Sequence, residues 1–159
     1  MIIDPDLYRS VLGRFASGVT VLTTRDAGGR DHGMTVNAFA ALSLAPPLVV
    51  ACIDRAATMH DVLEQTGFFT VNILASPQEA LSRRFSDLDA SQRFDGIGFT
   101  RGRRGAPILD DVLAMLECTL VQRFDGGDHS LFIGQVETAR IDELRPLLYY
   151  RGGYAQLER

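Results

Sequence analysis

The most informative stretch of the chain is Gly33-Met34-Thr35-Val36-Asn37-Ala38-Phe39-Ala40-Ala41-Leu42-Ser43-Leu44-Ala45-Pro46-Pro47. Short polar side chains at 35, 37 and 43 interrupt an apolar, strand-like pattern. A buried polar group needs a hydrogen-bond partner. A flat, partly polar ligand lying against the backbone would supply one, and so would Asx or Ser/Thr turns that close the local loops. This segment alone leaves both explanations open.

Strand and turn patterns surround that stretch. Val19–Thr24 is β-branched, and Asp26-Ala27-Gly28-Gly29 predicts a hairpin turn into a strand that begins near His32. The pair Pro46-Pro47 lacks amide donors and predicts a connection before the strand 48–53. Further strands are predicted at 68–74, 113–123, 131–141, 147–150 and 154–157, with a tight turn at 125–128.

Three short helices are predicted between the strands. Asp4-Pro5 forms an N-cap and N1 pair, and the apolar spacing that follows predicts a helix ending near Gly18. A second helix is predicted over 58–66, where Gly67 ends it, and a third from Ser76-Pro77 to about Phe85. The polar segment 86–105 is predicted to be a surface excursion.

These elements predict one mainly β domain over residues 1–159. Hairpin-linked strands with short helices favour a closed or nearly closed antiparallel β-barrel, because closure removes exposed sheet edges. The βαβ alternation of a dinucleotide-binding Rossmann domain is not seen in the sequence.

Composition excludes several function classes. The 159 residues carry a net charge of −4, which argues against nucleic acid as the partner. All 16 basic residues are arginines, so lysine-based phosphate loops and Schiff bases are excluded. The apolar runs are too short to span a bilayer and the N-terminus lacks a signal-peptide pattern, so we expect a cytoplasmic protein without a membrane segment.

The usual catalytic motifs are missing from the sequence. It contains no dinucleotide fingerprint, no Walker loop and no nucleophile elbow. Cys52 and Cys118 lie in apolar runs and are predicted to be core residues. The histidines at 32, 60 and 129 share no ligand spacing, so no metal site is expected.

Three further segments have both a functional and a structural explanation. The strand end and helix start at 53–58 could bind an anion with Arg55 and Thr58, or Asp54 or Thr58 could simply cap the helix. His129, beside a tight turn, could contact a ligand or lie in solvent. The aromatic residues of 149–154 could stack on a ring or belong to the core.

Together these segments resemble the flavin reductase-like family, whose fold is the FMN-binding split barrel. The resemblance extends from the first helix to the C-terminus. Five blocks match in order: FASGVTVLTT at 15–24, GMTVNAF at 33–39 with Ser43 and Pro46-Pro47, FTVNIL at 69–74, GDHSLFIG at 127–134 and PLLYYRGGY at 146–154.

The resemblance implies a homodimeric, Greek-key antiparallel split β-barrel with flavin, either FMN or FAD, near the subunit interface. It places the flavin ring along Met34, Thr35, Val36, Asn37 and Ala38, with Ser43 in the same block. It places the ribityl chain and phosphate beside Cys52, Ile53, Asp54, Arg55 and Thr58, and a further flavin-contacting block at Arg84, Phe85 and Ser86. His129, as the catalytic candidate, and Tyr149, Tyr150, Arg151 and Gly152 match positions near the nicotinamide nucleotide.

The implied activity is that of a short-chain NAD(P)H:flavin oxidoreductase, with NADH or NADPH as hydride donor. In this subgroup reduced flavin passes to a separate flavin-dependent oxygenase, as in two-component monooxygenases. Relatives often have Asn and serines where this chain has Asp54, Ala56 and Ala57, which predicts weaker phosphate binding. The alternative is a non-catalytic flavin- or haem-binding split barrel, or an electron-transfer flavoprotein.

Overall fold

A computed structural model describes residues 2–158. Within that range the helices are α1 (Pro5–Leu12), α2 (Thr58–Thr66) and α3 (Glu79–Asp87), with 3-10 turns at Ser76–Gln78 and Ala90–Gln92. The strands are β1 (Ser17–Gly18), β2 (Thr20–Arg25), β3 (Asp31–Val36), β4 (Phe39–Leu44), β5 (Pro47–Asp54), β6 (Phe68–Ile73), β7 (Phe99–Arg101), β8 (Pro107–Leu109), β9 (Ala114–Gly126), β10 (His129–Ile141), β11 (Leu147–Tyr150) and β12 (Gly153–Gln156).

Antiparallel pairing organises these strands into three sheets. The largest has seven strands in the order β3-β2-β6-β9-β10-β5-β4. A second sheet has the order β1-β11-β12, and β7 pairs with β8. Beyond the end of β3, the Cys52 amide in β5 donates to the Ala38 carbonyl over 2.9 Å. The prediction of a mainly β, antiparallel protein with short helices is confirmed.

Strands β2 and β6 of the large sheet are buried on both faces, and alternate side chains of each strand point into two different clusters. Leu22 and Phe132 belong to one apolar cluster, and Val21 and Phe85 belong to the other. Cys118 lies in the first cluster, where burial raises the pKa of its thiol to about 12. Cys52 is half-buried, and both cysteines are free.

Helix α1 starts where predicted and ends earlier. The Leu7 amide donates to Asp4 Oδ2 over 2.9 Å, which confirms the N-cap. The helix stops at Leu12, not near Gly18, because residues 17–18 pair with β11 instead. None of residues 5–12 is buried.

Three other predictions needed correction. The segment 86–105 is more than a surface excursion, since Phe94 packs edge-on between Phe85 and Phe99. Ser76 does not cap a helix, because it lies within the 3-10 turn that precedes α3. The predicted turn at 125–128 is tighter than expected: Gly126 pairs with His129 across it, and Gly127 adopts a φ of 74°.

Candidate functional site

The predicted ring-binding segment lies where β3 leaves the sheet. The Phe39 amide donates to the Asn37 carbonyl over 2.8 Å, which turns the chain from β3 into β4. Asn37 is half-buried and Ala38 is exposed. Among residues 2–158, Asn37 Oδ1 is the one buried side-chain polar atom without a hydrogen-bond partner. A buried acceptor without a donor indicates a place for a ligand N–H.

Its neighbours use their polar groups within the chain. Thr35 Oγ1 donates to the Ser82 carbonyl over 2.7 Å, and Thr20 Oγ1 donates to the Val36 carbonyl over 2.6 Å. Any ligand contact by Thr35 or Val36 therefore depends mainly on backbone groups. Ser43 is half-buried and lies near the other end of β4, beyond a register shift.

The second predicted group lies where β5 leads into α2. Cys52 is beside Ala38, and Ile53 is fully buried. Asp54 Oδ1 accepts the Ala56 amide over 2.8 Å, which forms an Asx turn before the helix. No side chain of the described residues caps α2, whose N-cap position is Ala57. The capping explanation for Asp54 and Thr58 is therefore wrong, and the first amides of α2 remain available to an anion.

A cavity of about 230 Å³ opens at this helix start, and we call it the α2 pocket. It combines one wall from β3, one from the start of α2 and one from the segment after α3. Its lining consists of His32, Gly33, Met34, Ala56, Ala57, Thr58, Met59, Ala90 and Arg93. Met34 and Thr58 were predicted site residues, and the structure brings them together here.

Arg93 and His32 are the charged or titratable side chains of the α2 pocket. Arg93 Nη1 donates to the Gly33 carbonyl over 2.8 Å, and burial lowers the pKa of this guanidinium. His32 Nε2 lies 2.9 Å from Asp26 Oδ2, a hydrogen bond that lowers the pKa of the Asp26 carboxyl. Sequence reasoning missed both residues. Arg93 lies within the polar segment 86–105, and no local pattern indicates that it reaches β3.

The predicted block 84–86 supports the pocket wall. The guanidinium of Arg84 donates to the carbonyls of Gln92, Arg93 and Asp95. Phe85 is fully buried, and a Cβ added at Gly33 would lie 2.6 Å from its Cε1. The Ser86 hydroxyl donates to the Ser82 carbonyl over 3.0 Å. These residues hold the segment that carries Ala90 and Arg93 against β3.

His129 begins β10 and pairs directly with Asp54 of β5. Its Nδ1 lies 2.7 Å from Asp128 Oδ1, and this hydrogen bond lowers the pKa of the Asp128 carboxyl. The imidazole is 41% exposed, so a ligand has access to it. The adjacent Arg55 amide donates to the Asp128 carbonyl over 3.0 Å. The structure therefore places His129 next to the 54–55 group.

A polar network lies behind His129. His60 Nε2 lies 2.8 Å from Ser130 Oγ, which also accepts from Arg123 Nη1 over 2.9 Å. The Arg123 guanidinium contacts Glu64 at 2.5 Å and Asp125 at 2.9 Å. Asp125 in turn pairs with Arg55 Nη2 at 2.6 Å. The network fixes the guanidinium of Arg55 relative to β10, so Arg55 is not a free solvated side chain.

One trio of possible metal ligands occurs in residues 2–158. The ligand atoms of His60, Asp61 and Glu64 lie within 4.8 Å of one another. His60 bonds Ser130 and Glu64 bonds Arg123, so two of the three already have protein partners.

The predicted nicotinamide segment forms the β11–β12 hairpin. Tyr149 contacts Tyr154 edge-on with ring centroids 5.5 Å apart, and Tyr154 Oη lies 2.8 Å from Ser82 Oγ. Tyr150 is 41% exposed. The turn is Arg151-Gly152, with φ angles of 52° and 77°. Ser82 links this hairpin to Thr35, since its carbonyl accepts the Thr35 hydroxyl.

Comparison with known proteins assigns the class. The geometry above defines a mainly β protein with a buried, unpartnered acceptor at the end of β3 and a cavity at the start of α2. The model of the flavin reductase-like domain matches residues 12–158. The chain belongs to the flavin reductase-like domain family.

Individual relatives align over nearly the whole chain. The reductase subunit HsaB of a flavin-dependent monooxygenase from Rhodococcus jostii is 43% identical over 157 residues, covering 98% of this chain and 80% of that protein. An NADH-dependent flavin reductase from a Rhodococcus species is 41% identical, with 98% and 90% covered. The solved NADH:FAD oxidoreductase SgcE6 of Streptomyces globisporus superposes with a TM-score of 0.93 at 34% identity, with 100% and 98% covered.

No helix among residues 2–158 has the length and apolarity needed to cross a bilayer.

Proposed function

We propose that this protein catalyses NAD(P)H-dependent reduction of FMN or FAD and supplies the reduced flavin to a separate monooxygenase. Family membership and the names of the similar proteins support the activity. The observation that carries the proposal is the buried, unpartnered Oδ1 of Asn37 at the end of β3. An oxidised isoalloxazine edge carries one N–H donor between two carbonyl acceptors, and this acceptor fits that donor.

The surrounding groups fit the rest of a flavin. Backbone groups of 34–38 can contact the polar edge of the ring, and Cys52 lies beside Ala38. The free amides at the start of α2, together with Arg93 and His32, would hold the phosphate. No lysine is needed, because guanidinium and backbone donors bind phosphate as well.

Bound flavin supplies the hydride-accepting ring, so the protein needs no nucleophile of its own. The chain's task is to bind and orient two flat rings and to exclude water between them. His129 is the candidate to contact the nicotinamide side or to hold a proton there. Asp128 orients its imidazole through the 2.7 Å hydrogen bond.

The phosphate site explains why reduced flavin would leave. Asp54 directs a carboxylate into its own Asx turn, and Ala56 and Ala57 supply no hydroxyl to the α2 pocket. A phosphate there relies on helix amides and Arg93. Loose binding suits a reductase whose product diffuses to an oxygenase, in line with relatives described as reductase subunits of flavin-dependent monooxygenases.

The proposal includes a homodimer. The apolar side chains of α1 are uncovered: Leu7, Val11 and Leu12 are 50–55% exposed. Phe15 and Leu44 are 82% and 91% exposed. A second copy would bury this surface. Sedimentation or light scattering should give twice 17.4 kDa; a mass of one chain at micromolar concentration contradicts the dimer.

The finer description of the fold is also part of the proposal. We infer one split-barrel domain of Greek-key type over residues 1–159. The hydrogen bond from Cys52 to Ala38 supports closure, since it connects the end of β3 to a strand on the far side of the sheet order. A cytoplasmic location is proposed because nicotinamide nucleotides and two free cysteines are compatible with it.

Anaerobic stopped-flow mixing tests the activity. The protein is combined with FMN or FAD and mixed with NADH or NADPH, which gives four matched reactions. Bleaching of the flavin absorbance in at least one reaction is the expected result. Flavin binding without bleaching in any reaction would instead favour the electron-carrier alternative. For the partner, adding a cognate flavin-dependent oxygenase should yield product only when the reductase and NAD(P)H are both present.

A further inference from the structure

A buried polar network joins α2 to the β9–β10 hairpin, and the proposed reaction uses none of its inner members. Ser130 is fully buried, and His60 is 6% exposed. Ser130 Oγ lies 2.8 Å from His60 Nε2 and 2.9 Å from Arg123 Nη1. Two side chains, one from α2 and one from β9, therefore meet at a single hydroxyl of β10.

The direction of each hydrogen bond in this network follows from the chemistry of its groups. A guanidinium can only donate, so the Ser130 oxygen accepts from Arg123. The Ser130 hydrogen then has one acceptor among residues 2–158, which is His60 Nε2. The remaining imidazole proton lies on Nδ1, 3.2 Å from Asp61 Oδ1. The bonds therefore run from Arg123 through Ser130 and His60 to Asp61, and each buried donor among them has an acceptor.

This network specifies position rather than packing. Apolar side chains can fill a buried space without the cost of desolvating polar groups, whereas a fully satisfied polar network fixes the relative positions of the elements that it joins. The surroundings are apolar, since the His60 ring packs edge-on against Phe132 with ring centroids 5.2 Å apart. The Ser130 hydroxyl therefore holds β10 in one arrangement against α2.

The residue next to Ser130 is the catalytic candidate, His129. Adjacent residues of a strand point to opposite faces, so anchoring the side chain at 130 fixes the direction of the side chain at 129. His129 follows a tight turn in which Gly127 has a φ of 74° and the Asp128 side chain is 91% exposed. The bond between His129 and Asp128 joins neighbouring residues, so it orients the ring on the turn but does not hold the turn against α2. The Ser130 side chain makes that contact.

The network also connects His129 to the phosphate end of the proposed site. His60 and Glu64 both belong to α2, whose start lines the α2 pocket. The Arg123 guanidinium contacts Glu64 at 2.5 Å while its Nη1 donates to Ser130. The helix that would hold the phosphate and the strand that carries His129 are therefore joined through one buried hydroxyl.

We propose that Ser130 is a positioning residue for flavin reduction: its hydroxyl fixes the direction of the His129 imidazole relative to α2. This inference rests on the proposed function and on the role given there to His129. Ser130 is fully buried, so it acts through its neighbour and not by contact with a substrate. Loss of the hydroxyl should therefore lower the rate of hydride transfer and leave flavin affinity unchanged.

The test removes the hydroxyl with Ser130→Ala and its acceptor with His60→Phe. Thr23→Val is the matched control, because the Thr23 hydroxyl is also fully buried, donates to the Pro107 carbonyl and accepts from Asn72. It lies on β2, which β6 and β9 separate from β10. Thermal unfolding shows which variants are folded, and His60→Phe provides the measurement if Ser130→Ala is not.

Anaerobic stopped-flow mixing measures the rate of flavin reduction at saturating NAD(P)H. Ser130→Ala and His60→Phe should each lower this rate by roughly fivefold, less than removal of His129 itself, because a misdirected imidazole keeps part of its effect. The flavin Kd of both variants should stay within about twofold of the original, and so should the reduction rate of Thr23→Val.

A double-variant cycle separates positioning from a general structural effect. If Ser130 acts through His129, Ser130→Ala should change the rate less than about twofold in a His129→Ala background. A further loss of roughly fivefold in that background would overturn the proposal. So would a Ser130→Ala rate equal to that of the unmodified protein, or an equal loss of rate in Thr23→Val.

Hydrogen exchange keeps the test independent of activity. If the unmodified protein reduces no flavin, the proposed function fails, and the amides of residues 127–131 decide whether Ser130 holds His129 in place. Their exchange should be about tenfold faster or more in Ser130→Ala and His60→Phe but unchanged in Thr23→Val, because loss of the buried bonds frees the turn locally. Equal exchange in all the variants would show that Ser130 does not hold this segment.

Discussion

Replacing Asn37 with leucine separates the requirements of ligand binding from those of folding. Asn37 Oδ1 is buried without a donor among residues 2–158. A buried, unsatisfied carbonyl costs roughly 1–3 kcal/mol. The flavin-free protein already bears this cost, so Asn37→Leu should leave its free energy of unfolding unchanged or raise it by up to about 1 kcal/mol.

Flavin binding, in contrast to stability, should be weakened by Asn37→Leu. A ligand N–H that pairs with Oδ1 removes the cost, and leucine offers no acceptor. Losing about 1.5–3 kcal/mol corresponds to a roughly ten- to hundredfold increase in Kd. Flavin fluorescence quenching measures the Kd, and urea unfolding without flavin measures stability.

Asn72 provides the matched control. It is fully buried, and its side chain donates to the Val21 carbonyl and to Thr23 and accepts the Leu109 amide. Asn72→Leu should therefore destabilise the protein by roughly 3 kcal/mol, because several partners lose their bonds. A Kd for flavin within twofold of the original in Asn37→Leu, or destabilisation as large as that of Asn72→Leu, would refute the reasoning.

Three other changes have defined outcomes. His129→Ala should slow flavin reduction by NAD(P)H about tenfold or more while the flavin Kd stays within twofold, because general acid–base groups contribute to rate rather than to binding. Stopped-flow mixing measures the rate, and fluorescence quenching measures the Kd. A large loss of flavin affinity would show that His129 is a flavin-binding residue instead. Gly134→Ala should cost roughly 1–3 kcal/mol of stability, since its new Cβ would lie 2.5 Å from Phe69 Cζ; Gly18→Ala, with no atom within 4 Å of the added Cβ, is the control in urea unfolding. In a Cys52→Ser background, Cys118 should resist iodoacetamide at pH 8.5 in the native protein and react after unfolding, because the thiolate forms only near its pKa of about 12; fast native labelling would contradict the burial.

Local patterns were sufficient for most of the fold. The strands at β2, β6, β9 and β10 and the helix start at Asp4 follow from β-branched runs, turn glycines and a capping pair, which act over a few residues. The end of α1 was missed because strand pairing between β1 and β11 replaces further helix, and no local signal contains that partner.

The candidate site was less accessible from the sequence. Asn37 could be singled out because a short polar residue breaks an apolar run. The Thr35 hydroxyl donates to the Ser82 carbonyl, 47 positions away in the chain. No local pattern could predict that this hydroxyl is already hydrogen-bonded within the protein. Arg93 reaches the Gly33 carbonyl across 60 positions, and His32 joins the pocket only through the folded hairpin. The family resemblance indicated Arg84 and Phe85 as site residues. It did not indicate that they lie behind the residues that line the α2 pocket and support them from there.

One guanidinium, that of Arg84, donates to three carbonyls of the segment 92–95, which supplies Arg93 to the α2 pocket. Arg84 donates to the carbonyls of Gln92, Arg93 and Asp95, and an ammonium group in its place lacks the planar fork that reaches all three. Arg84→Lys would therefore loosen the segment 92–95 without detaching it, because Arg93 still donates to the Gly33 carbonyl and Phe94 still packs against Phe85. Substitution of this single side chain would then change how open the α2 pocket is, while the ring-binding segment 34–38 stays unchanged.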